Sequence, residues 1–143
     1  MIKKLNLGCG IKQEKGFINI DIKDFGQELT LDLTNSKLPY KNNSITEIKA
    51  THFFEHLNQD QIIKLLNECH RVIKKGCRLF IVVPSYKHEG AYILQHKMLF
   101  STATFSDFSK YDRENIYGIK RWTIYNMVEK PDNTIHVYLE AVK

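Results

Sequence analysis

Two glycines flank a cysteine directly after a short apolar stretch near the start of the chain. Leu5 and Leu7 alternate with polar neighbours, and Gly8-Cys9-Gly10 follows them. Glycine adopts positive φ angles without steric cost and allows a ligand to approach the backbone closely. A single Gly-x-Gly sequence is weak evidence for a binding site, so its meaning depends on the side chains that the fold brings beside it.

Two acidic residues stand where a ligand at this glycine loop would meet them. Asp21 ends the next apolar stretch, and Asp32 with Leu33 follows a third stretch that begins at Leu29. A carboxylate at the end of a parallel strand can accept hydrogen bonds from both hydroxyls of a ribose. Because parallel sheets bind ligands at the edge where their strands end, the pattern predicts one binding site formed by the glycine loop and both acids.

His52, Glu55 and His56 form a His-x-x-Glu-His sequence, the inverted form of the zinc-peptidase motif. Residues four apart share one face of a helix, so both imidazoles could bind one zinc ion while Glu55 acts as a base. A third protein ligand is also required, and Glu68 is the only plausible candidate. Nothing else in the sequence resembles a peptidase, so no metal is expected. His56 is then either a structural residue or a neighbour of the bound ligand.

Apolar segments supply the strands that would position these residues. The last of them is a continuous run before Pro84, as expected of a central parallel strand covered on both faces. Only about ten residues separate the first two segments, so a helix between them should be reduced to about one turn. The predicted strands are Leu5–Leu7, Phe17–Ile22, Leu29–Leu33, Ile45–Ala50 and Leu79–Val83.

A long amphipathic helix is predicted from Gln59 to Lys75. Asn58 and Gln61 are placed as an N-terminal capping pair, and Gly76 as the residue that ends the helix. A shorter helix is predicted over residues 102–110.

The end of the chain predicts an antiparallel hairpin. Residues 122–128 and 135–141 alternate apolar and polar side chains, and Pro131-Asp132-Asn133 supplies a turn between them. Together with the earlier segments, this indicates an α/β fold. We expect a Rossmann-like, mostly parallel sheet with helices on both faces and a C-terminal antiparallel hairpin.

The composition is typical of one soluble domain. The chain has 143 residues, of which 43% are hydrophobic and 26% charged, and no apolar run approaches the roughly 18 residues of a membrane helix. No signal stretch opens the sequence, so a cytoplasmic location is expected. Three cysteines without a Cys-x-x-Cys spacing argue against a disulfide framework. The net charge of +5 is scattered along the chain, which would help an anionic partner approach and leaves nucleic acid as an alternative.

The chain resembles the class I S-adenosylmethionine-dependent methyltransferases over nearly its whole length. Residues 5–10 and 16–22 look like the first two motifs of that family. Residues 38–45 and Phe54-Glu55-His56-Leu57 resemble the stretch around its fourth strand. Residues 68–84 look like the helix and fifth strand that follow, and the hairpin matches the family's antiparallel seventh strand. As a set, in this order, these motifs are specific.

The resemblance implies S-adenosylmethionine as cofactor and assigns residues to its parts. The loop at Gly8 would face the methionine moiety, Asp21 would hold the ribose diol, and Asp32 with Leu33 would lie at the adenine. Thr51 and His52 would approach the sulfonium. The implied cofactor-binding residues are Leu7, Gly8, Cys9, Gly10, Asp21, Ile22, Asp32, Leu33, Thr51 and His52.

The sequence also departs from the family pattern. Asn6 stands where an acid is common, Lys12 replaces a third glycine, and Cys77 replaces the second glycine of a usual pair. We therefore expect residues 1–143 to form a single methyltransferase-like domain, shortened at its N-terminus and first helix.

For the chemistry, the resemblance implies methyl transfer to an oxygen or nitrogen acceptor. His52, Glu55 and Tyr86 are the candidate catalytic residues, with His52 favoured as the proton acceptor. Residues 84–108 would form the acceptor pocket. A small molecule or a glycan is the favoured acceptor, with RNA and protein as alternatives, no membrane partner and a homodimer as one assembly. The rival interpretation is a non-catalytic module that binds S-adenosylmethionine or a partner protein.

Overall fold

The computed structural model of the chain describes residues 1–110 and 113–143. Seven strands form one sheet, and the described residues also contain three α-helices. In chain order the elements are β1 (Lys4–Leu7), β2 (Ile18–Asp21), β3 (Leu29–Thr30), β4 (Ile45–Thr51), α1 (Gln59–Val72), β5 (Ile73–Pro84), α2 (Thr102–Phe108), α3 (Arg113–Tyr117), β6 (Trp122–Glu129) and β7 (Thr134–Ala141).

The strands are arranged in the order β3-β2-β1-β4-β5-β7-β6. The first five strands pair in parallel, whereas β7 pairs antiparallel with both β5 and β6. The Rossmann-like sheet and the C-terminal hairpin are therefore confirmed. The strand order reverses at β1, which has β2 on one side and β4 on the other, and ligands of open α/β sheets bind at such a reversal.

Helix α1 begins as the sequence predicts and ends earlier. Asn58 and Gln61 form the capping box, each side chain accepting a hydrogen bond from the other residue's backbone amide. The helix ends at Val72, because Ile73 adopts an extended backbone and pairs with Ile45 of β4. The predicted end at Lys75 was wrong.

Gly76 does not end the helix; it lies within β5, with a φ of 77°. The pairing of β5 with β4 shifts register between Ile73 and Arg78, so the residues between them protrude. Helix and strand follow each other without a loop, and the apolar residues of both continue one pattern. Periodicity alone therefore cannot locate the boundary.

Other boundaries also differ from the prediction, most clearly at β3, α2 and β5, which begins at Ile73 rather than at Leu79. Strand β3 contains only Leu29 and Thr30, since the chain turns at Asp32, where the carboxylate bonds the backbone amide of Thr34. Helix α2 ends at Phe108, and α3 was not predicted.

The buried side chains of α1 and α2 lie on one face of the sheet. Leu65 of α1 and Phe105 of α2 belong to one apolar cluster with Leu79 of β5 and Val137 of β7. Helix α3 lies near α1, since the amide side chain of Asn67 donates to the carbonyl oxygen at position 118.

The opposite face carries half-exposed side chains such as Lys49, Phe80 and Tyr138. Connections that would place helices there are too short or irregular, since residues 8–17, 22–28 and 31–44 form turns and contain no helix. Helices were expected on both faces of the sheet. In the described part of the chain they cover one face.

Candidate functional site

The glycine loop follows β1 at the point where the strand order reverses. Gly8 and Gly10 have φ angles of 63° and 52°, which side chains with a Cβ rarely adopt. A Cβ atom at Gly8 would lie 2.0 Å from Cδ2 of Phe53. Position 8 therefore requires glycine both for its backbone angle and for the aromatic ring packed against it.

Asp21, the last residue of β2, is attached to this loop. One carboxylate oxygen accepts a hydrogen bond from the Gly10 amide at 2.9 Å, and the other accepts from the Lys23 amide at 3.1 Å. An ionised carboxylate offers about four acceptor positions, so about two remain free for a ligand. Asp21 is held in a fixed orientation and keeps the capacity to bind two hydroxyl groups.

A cavity of about 230 Å³ opens beside Asp21. It combines acidic side chains with apolar and aromatic ones, a combination suited to a nucleoside. Among the residues that line it are Asp21, Ile22, Asp32, Leu33, Phe53 and His56.

Asp32 lies in the wall of this cavity, and both of its carboxylate oxygens are occupied within its own turn. One accepts hydrogen bonds from the backbone and hydroxyl of Thr34, at 2.9 and 2.6 Å, and the other accepts from the Asn35 amide at 2.9 Å. These bonds lower the pKa of Asp32, and the hydrogen bond from the Thr34 hydroxyl has the largest effect. The carboxylate stays ionised at neutral pH, and a ligand must share it with the turn.

His52 follows β4 and has a φ of 53°, unusual for a residue other than glycine. Its amide donates to the carbonyl of Val82 on β5 at 2.9 Å, which fixes the backbone. Its ring Nδ1 lies 3.5 Å from Oε1 of Glu55, and the imidazole is 51% exposed. The contact with Glu55 raises the pKa of His52 above the usual 6.5, against the opposing effect of burial. The result is an accessible imidazole backed by a buried carboxylate.

The hairpin brings two further polar residues towards His52. The charge of Asp132 contributes to the raised pKa of His52. The pKa of His136 is lowered, mainly by burial and also by nearby positive charges that include His52. Thr134 lies between the two, since its hydroxyl donates to Asp132 at 2.6 Å and lies 3.0 Å from Nε2 of His136. Sequence reasoning missed these residues, because only the pairing of β7 with β5 places them at this edge.

Glu55 lies in a single turn of 3-10 helix, Phe54–His56, and its side chain is only 1% exposed. Its Oε2 atom has no hydrogen-bond partner among the described residues. The ring of His96, from a loop forty residues later, packs edge-on against His56 with centroids 4.8 Å apart. The Glu55 carboxylate is therefore enclosed, with one oxygen near His52 and the other without a partner among the described residues.

Glu68, the third ligand considered for a zinc site, is bound elsewhere. It accepts hydrogen bonds from the guanidinium of Arg71 and, at 2.9 Å, from the amide of Leu38. The Arg71 side chain also bonds the carbonyl oxygens of Leu38 and Tyr40. This pair joins α1 to the loop before β4 and has a structural role.

Tyr86 and other residues of the segment 84–108, which was expected to form the acceptor pocket, line a different cavity, of about 680 Å³. Tyr92 lines it and donates its hydroxyl to the carbonyl of Tyr86 at 2.7 Å. Lys87 and Glu129 form an ion pair at its wall, 3.5 Å apart. Tyr86 is thus separated from the cavity that contains Asp21.

Several residues of the predicted cofactor site and of the predicted acceptor pocket, residues 84–108, are largely or fully buried. Leu7 and Phe105 are completely enclosed, and Cys9 and Phe100 nearly so. At Leu7 and Cys9 a ligand could contact only the backbone, whereas Phe105 belongs to the core.

Comparison with known proteins identifies the fold. The model of a family described as "Methyltransferase domain" matches residues 10–81, half of the chain. A comparison with curated protein sequences found no significant match. No helix in the described part of the chain is long and apolar enough to cross a membrane.

Solved structures of similar architecture include an S-adenosylmethionine-dependent methyltransferase from Archaeoglobus fulgidus. Its TM-score is 0.71 at 14% identity, covering 97% of this chain and 86% of that one. A Burkholderia thailandensis 1,6-didemethyltoxoflavin-N1-methyltransferase, with 1,6-didemethyltoxoflavin and S-adenosylhomocysteine bound, gives 0.68 at 10% identity, covering 98% and 71%. A Haloferax volcanii putative methyltransferase, in complex with the Trm112 activator, gives 0.66 at 15%, covering 99% and 83%.

Proposed function

The chain belongs to the class I S-adenosylmethionine-dependent methyltransferase family, and from this premise we propose that it transfers a methyl group to an oxygen or nitrogen acceptor. S-adenosylmethionine is the cofactor of this family. The observation that carries the proposal is the hydrogen bond from the Gly10 amide to Asp21, which joins the glycine loop to an acid where the strand order reverses.

The glycine loop and the residues that line the cavity beside Asp21 suit this cofactor. The backbone of residues 7–10 would hold its methionine part, and Asp21 with Ile22 its ribose. Leu33 would contact the adenine, and Asp32 would contribute the acceptor capacity that its own turn leaves free. The cavity beside Asp21 supports this assignment, because it joins the proposed ribose and adenine positions.

When bound, S-adenosylmethionine supplies a methyl group on a sulfonium that leaves as a neutral thioether. The task of the protein is to align the acceptor with that methyl group, and alignment alone can provide much of the rate. Thr51 and His52, at the end of β4, are the residues proposed to face the reacting atoms, because β4 is the neighbour of β1 in the sheet.

His52 is the proposed proton acceptor for a hydroxyl or amine substrate. Its imidazole is exposed, and Glu55 behind it stabilises the protonated form. A general base works best when its pKa lies near the working pH, and the rise from 6.5 moves the pKa of His52 towards neutral pH. Glu55 is then a positioning residue, because its carboxylate is buried. Tyr86 is the alternative proton acceptor, on the side of the larger cavity.

The proposed acceptor is a small molecule or a glycan. The cavity beside Tyr86 offers aromatic walls with an ion pair, which suits a polar ring compound. The Burkholderia neighbour, which holds a small ring compound, gives some support. RNA and protein acceptors remain alternatives. The Haloferax neighbour is bound to an activator, and action with a partner protein is the corresponding proposal for this chain. A homodimer is the alternative assembly.

Two observations favour a second function, a non-catalytic module that binds S-adenosylmethionine weakly or binds a partner protein. Both oxygens of Asp32 are engaged in its own turn, and Lys12 stands where a third glycine is usual, which would weaken cofactor binding.

A transfer assay separates the two functions. The full chain is incubated with S-adenosylmethionine labelled on its methyl group and with panels of phenols, sugar nucleotides, short RNAs and peptides. Catalysis predicts label in at least one panel, lost when an excess of S-adenosylhomocysteine competes. Saturable S-adenosylhomocysteine binding with no labelled product in any panel would favour the binding module.

A further inference from the structure

Three metal-binding side chains converge beside the proposed cofactor cavity. One potential ligand atom each from Glu55, His56 and His96 lies within 4.8 Å of the other two. Glu55 and His56 come from the turn after β4, and His96 comes from the loop between β5 and α2. The amide of Lys97 donates to the carbonyl oxygen of Glu55 at 2.8 Å, so a backbone hydrogen bond holds these two segments together.

Two polar atoms of this cluster are buried without a partner. Oε2 of Glu55 and Nδ1 of His96 accept and donate no hydrogen bond among the described residues. Buried polar atoms are almost always satisfied, and a buried carboxylate is normally paired or bound to a metal. The other Glu55 oxygen lies near His52, which leaves Oε2 as the free ligand atom.

His56, the third residue, has the hydrogen-bond partner that is typical of a metal-binding histidine. Nδ1 of His56 lies 3.3 Å from the carbonyl oxygen of Gln95, to which it can donate. That hydrogen bond places the proton on Nδ1 and leaves the lone pair of Nε2 free. Histidines that bind metals usually donate their other ring nitrogen to a carbonyl or carboxylate oxygen in this way.

We propose that Glu55, His56 and His96 bind one divalent transition-metal ion, with zinc as the reference ion. Two imidazoles and one carboxylate are a ligand set found in zinc sites. Zinc ligands at about 2.1 Å lie about 3.4 Å apart in a tetrahedron, so the cluster must contract when it binds the ion. His96 lies outside the helices and strands, so a shift of its side chain would bring the three ligand atoms together. Three protein ligands leave a fourth position for water or for an acceptor atom.

This site differs from the one that the His-x-x-Glu-His sequence suggests. His52 is not a ligand, and the third ligand is His96 rather than Glu68. The absence of a metal was expected from the sequence because no third ligand was evident, and the fold supplies one. His56 and Lys97 also line the cavity beside Asp21, so a bound ion would lie at the wall of the cofactor site.

The test is a zinc titration of the full chain after metals have been removed with a chelator. Competition against a chromogenic chelator measures affinity, and elemental analysis measures stoichiometry. We expect one zinc per chain, with affinity reduced at least about a hundredfold in His96→Gln and in Glu55→Gln. His88→Gln is the matched control, because the His88 ring accepts a hydrogen bond from the Gly90 amide and caps a 3-10 turn away from the cluster. The zinc affinity of this variant should equal that of wild type.

Two results would overturn the site: no saturable one-to-one binding by wild type, or wild-type affinity in His96→Gln. Circular dichroism checks the folding of each variant, and His56→Gln replaces any that is unfolded. S-adenosylhomocysteine affinity is measured on the same metal-free samples. If wild type binds S-adenosylhomocysteine but not zinc, this site alone is contradicted, whereas failure of wild type to bind S-adenosylhomocysteine contradicts the proposed function.

Discussion

The backbone amide of Gly10 and the carboxylate of Asp21 are joined by a 2.9 Å hydrogen bond across the ends of β1 and β2. The bond orients the Asp21 carboxylate before any ligand arrives, so ligand binding does not have to restrict the motion of this side chain. The same bond would allow a loop without a following helix to form the proposed cofactor site. An acid fixed by a glycine amide replaces part of the order that a longer first helix would provide.

Gly8→Ala should destabilise the fold more than Gly16→Ala. Both positions have positive φ, and alanine in the left-handed region costs about 1–2 kcal/mol. At Gly8 the added methyl group also meets the ring of Phe53 at 2.0 Å, whereas at Gly16 it meets nothing within 4 Å. Urea unfolding gives the two free energies of unfolding. Equal losses would show that the ring of Phe53 does not pack against Gly8.

His52→Asn should separate binding from catalysis. Asparagine tolerates the positive φ at this position better than alanine and removes the imidazole. If His52 accepts the proton, turnover should fall by about 10²- to 10⁴-fold while S-adenosylhomocysteine affinity stays within a few-fold of wild type. The measurement uses whichever acceptor the transfer assay identifies. Unchanged turnover would remove His52 from the mechanism and direct attention to Tyr86.

Glu68→Gln should lower stability at neutral pH and have little effect in acid. Arg71 lowers the pKa of Glu68 below its ordinary 4.5, so the folded state favours the ionised form. That stabilisation is fully present above pH 4.5 and is lost as the pH falls through the lower, folded-state pKa. We expect a loss of about 1–2 kcal/mol at pH 7 and a much smaller one at pH 3, from urea unfolding. A pH-independent difference would mean that the ion pair is not its cause.

One of the three thiols should react quickly in the native protein. Cys69 is fully buried, and burial raises the pKa of its thiol far above the ordinary range. Cys9 is also buried, whereas Cys77 is partly exposed. Ellman's reagent should therefore label one thiol per chain rapidly, and Cys77→Ser should abolish that reaction. Rapid labelling of two or three thiols would contradict the packing of the glycine loop or of α1.

The sequence was informative where chemistry follows from local pattern. Gly8, Gly10 and Asp21 could be placed at one sheet edge because the glycines follow one recognisable strand and Asp21 ends the next. The capping box at Asn58 was readable because its two residues are three apart. The end of α1 was not readable, since helix and strand join without a polar break.

The residues missed by sequence reasoning are brought to the site by long-range contacts. His96 lies beside Glu55 and His56, although about forty residues separate them in the sequence. The hydrogen bond from the Lys97 amide to the Glu55 carbonyl holds the two segments together, and no sequence spacing predicts it. Asp132 approaches His52 because β7 pairs with β5, although its local role as a turn residue was evident. Local periodicity contains no information on such pairings.

The most direct test of the cofactor site compares S-adenosylhomocysteine binding by wild type, Asp21→Asn and Asp24→Asn in calorimetry. Asp24 is the matched control, an exposed acid three residues away whose carboxylate bonds only the Gly26 amide in the described structure. Loss of a charge-assisted hydrogen bond costs roughly 1.5–3 kcal/mol, so Asp21→Asn should weaken binding about tenfold to a hundredfold, with Asp24→Asn unchanged. Equal affinities for wild type and Asp21→Asn would contradict the placement of the ribose at Asp21.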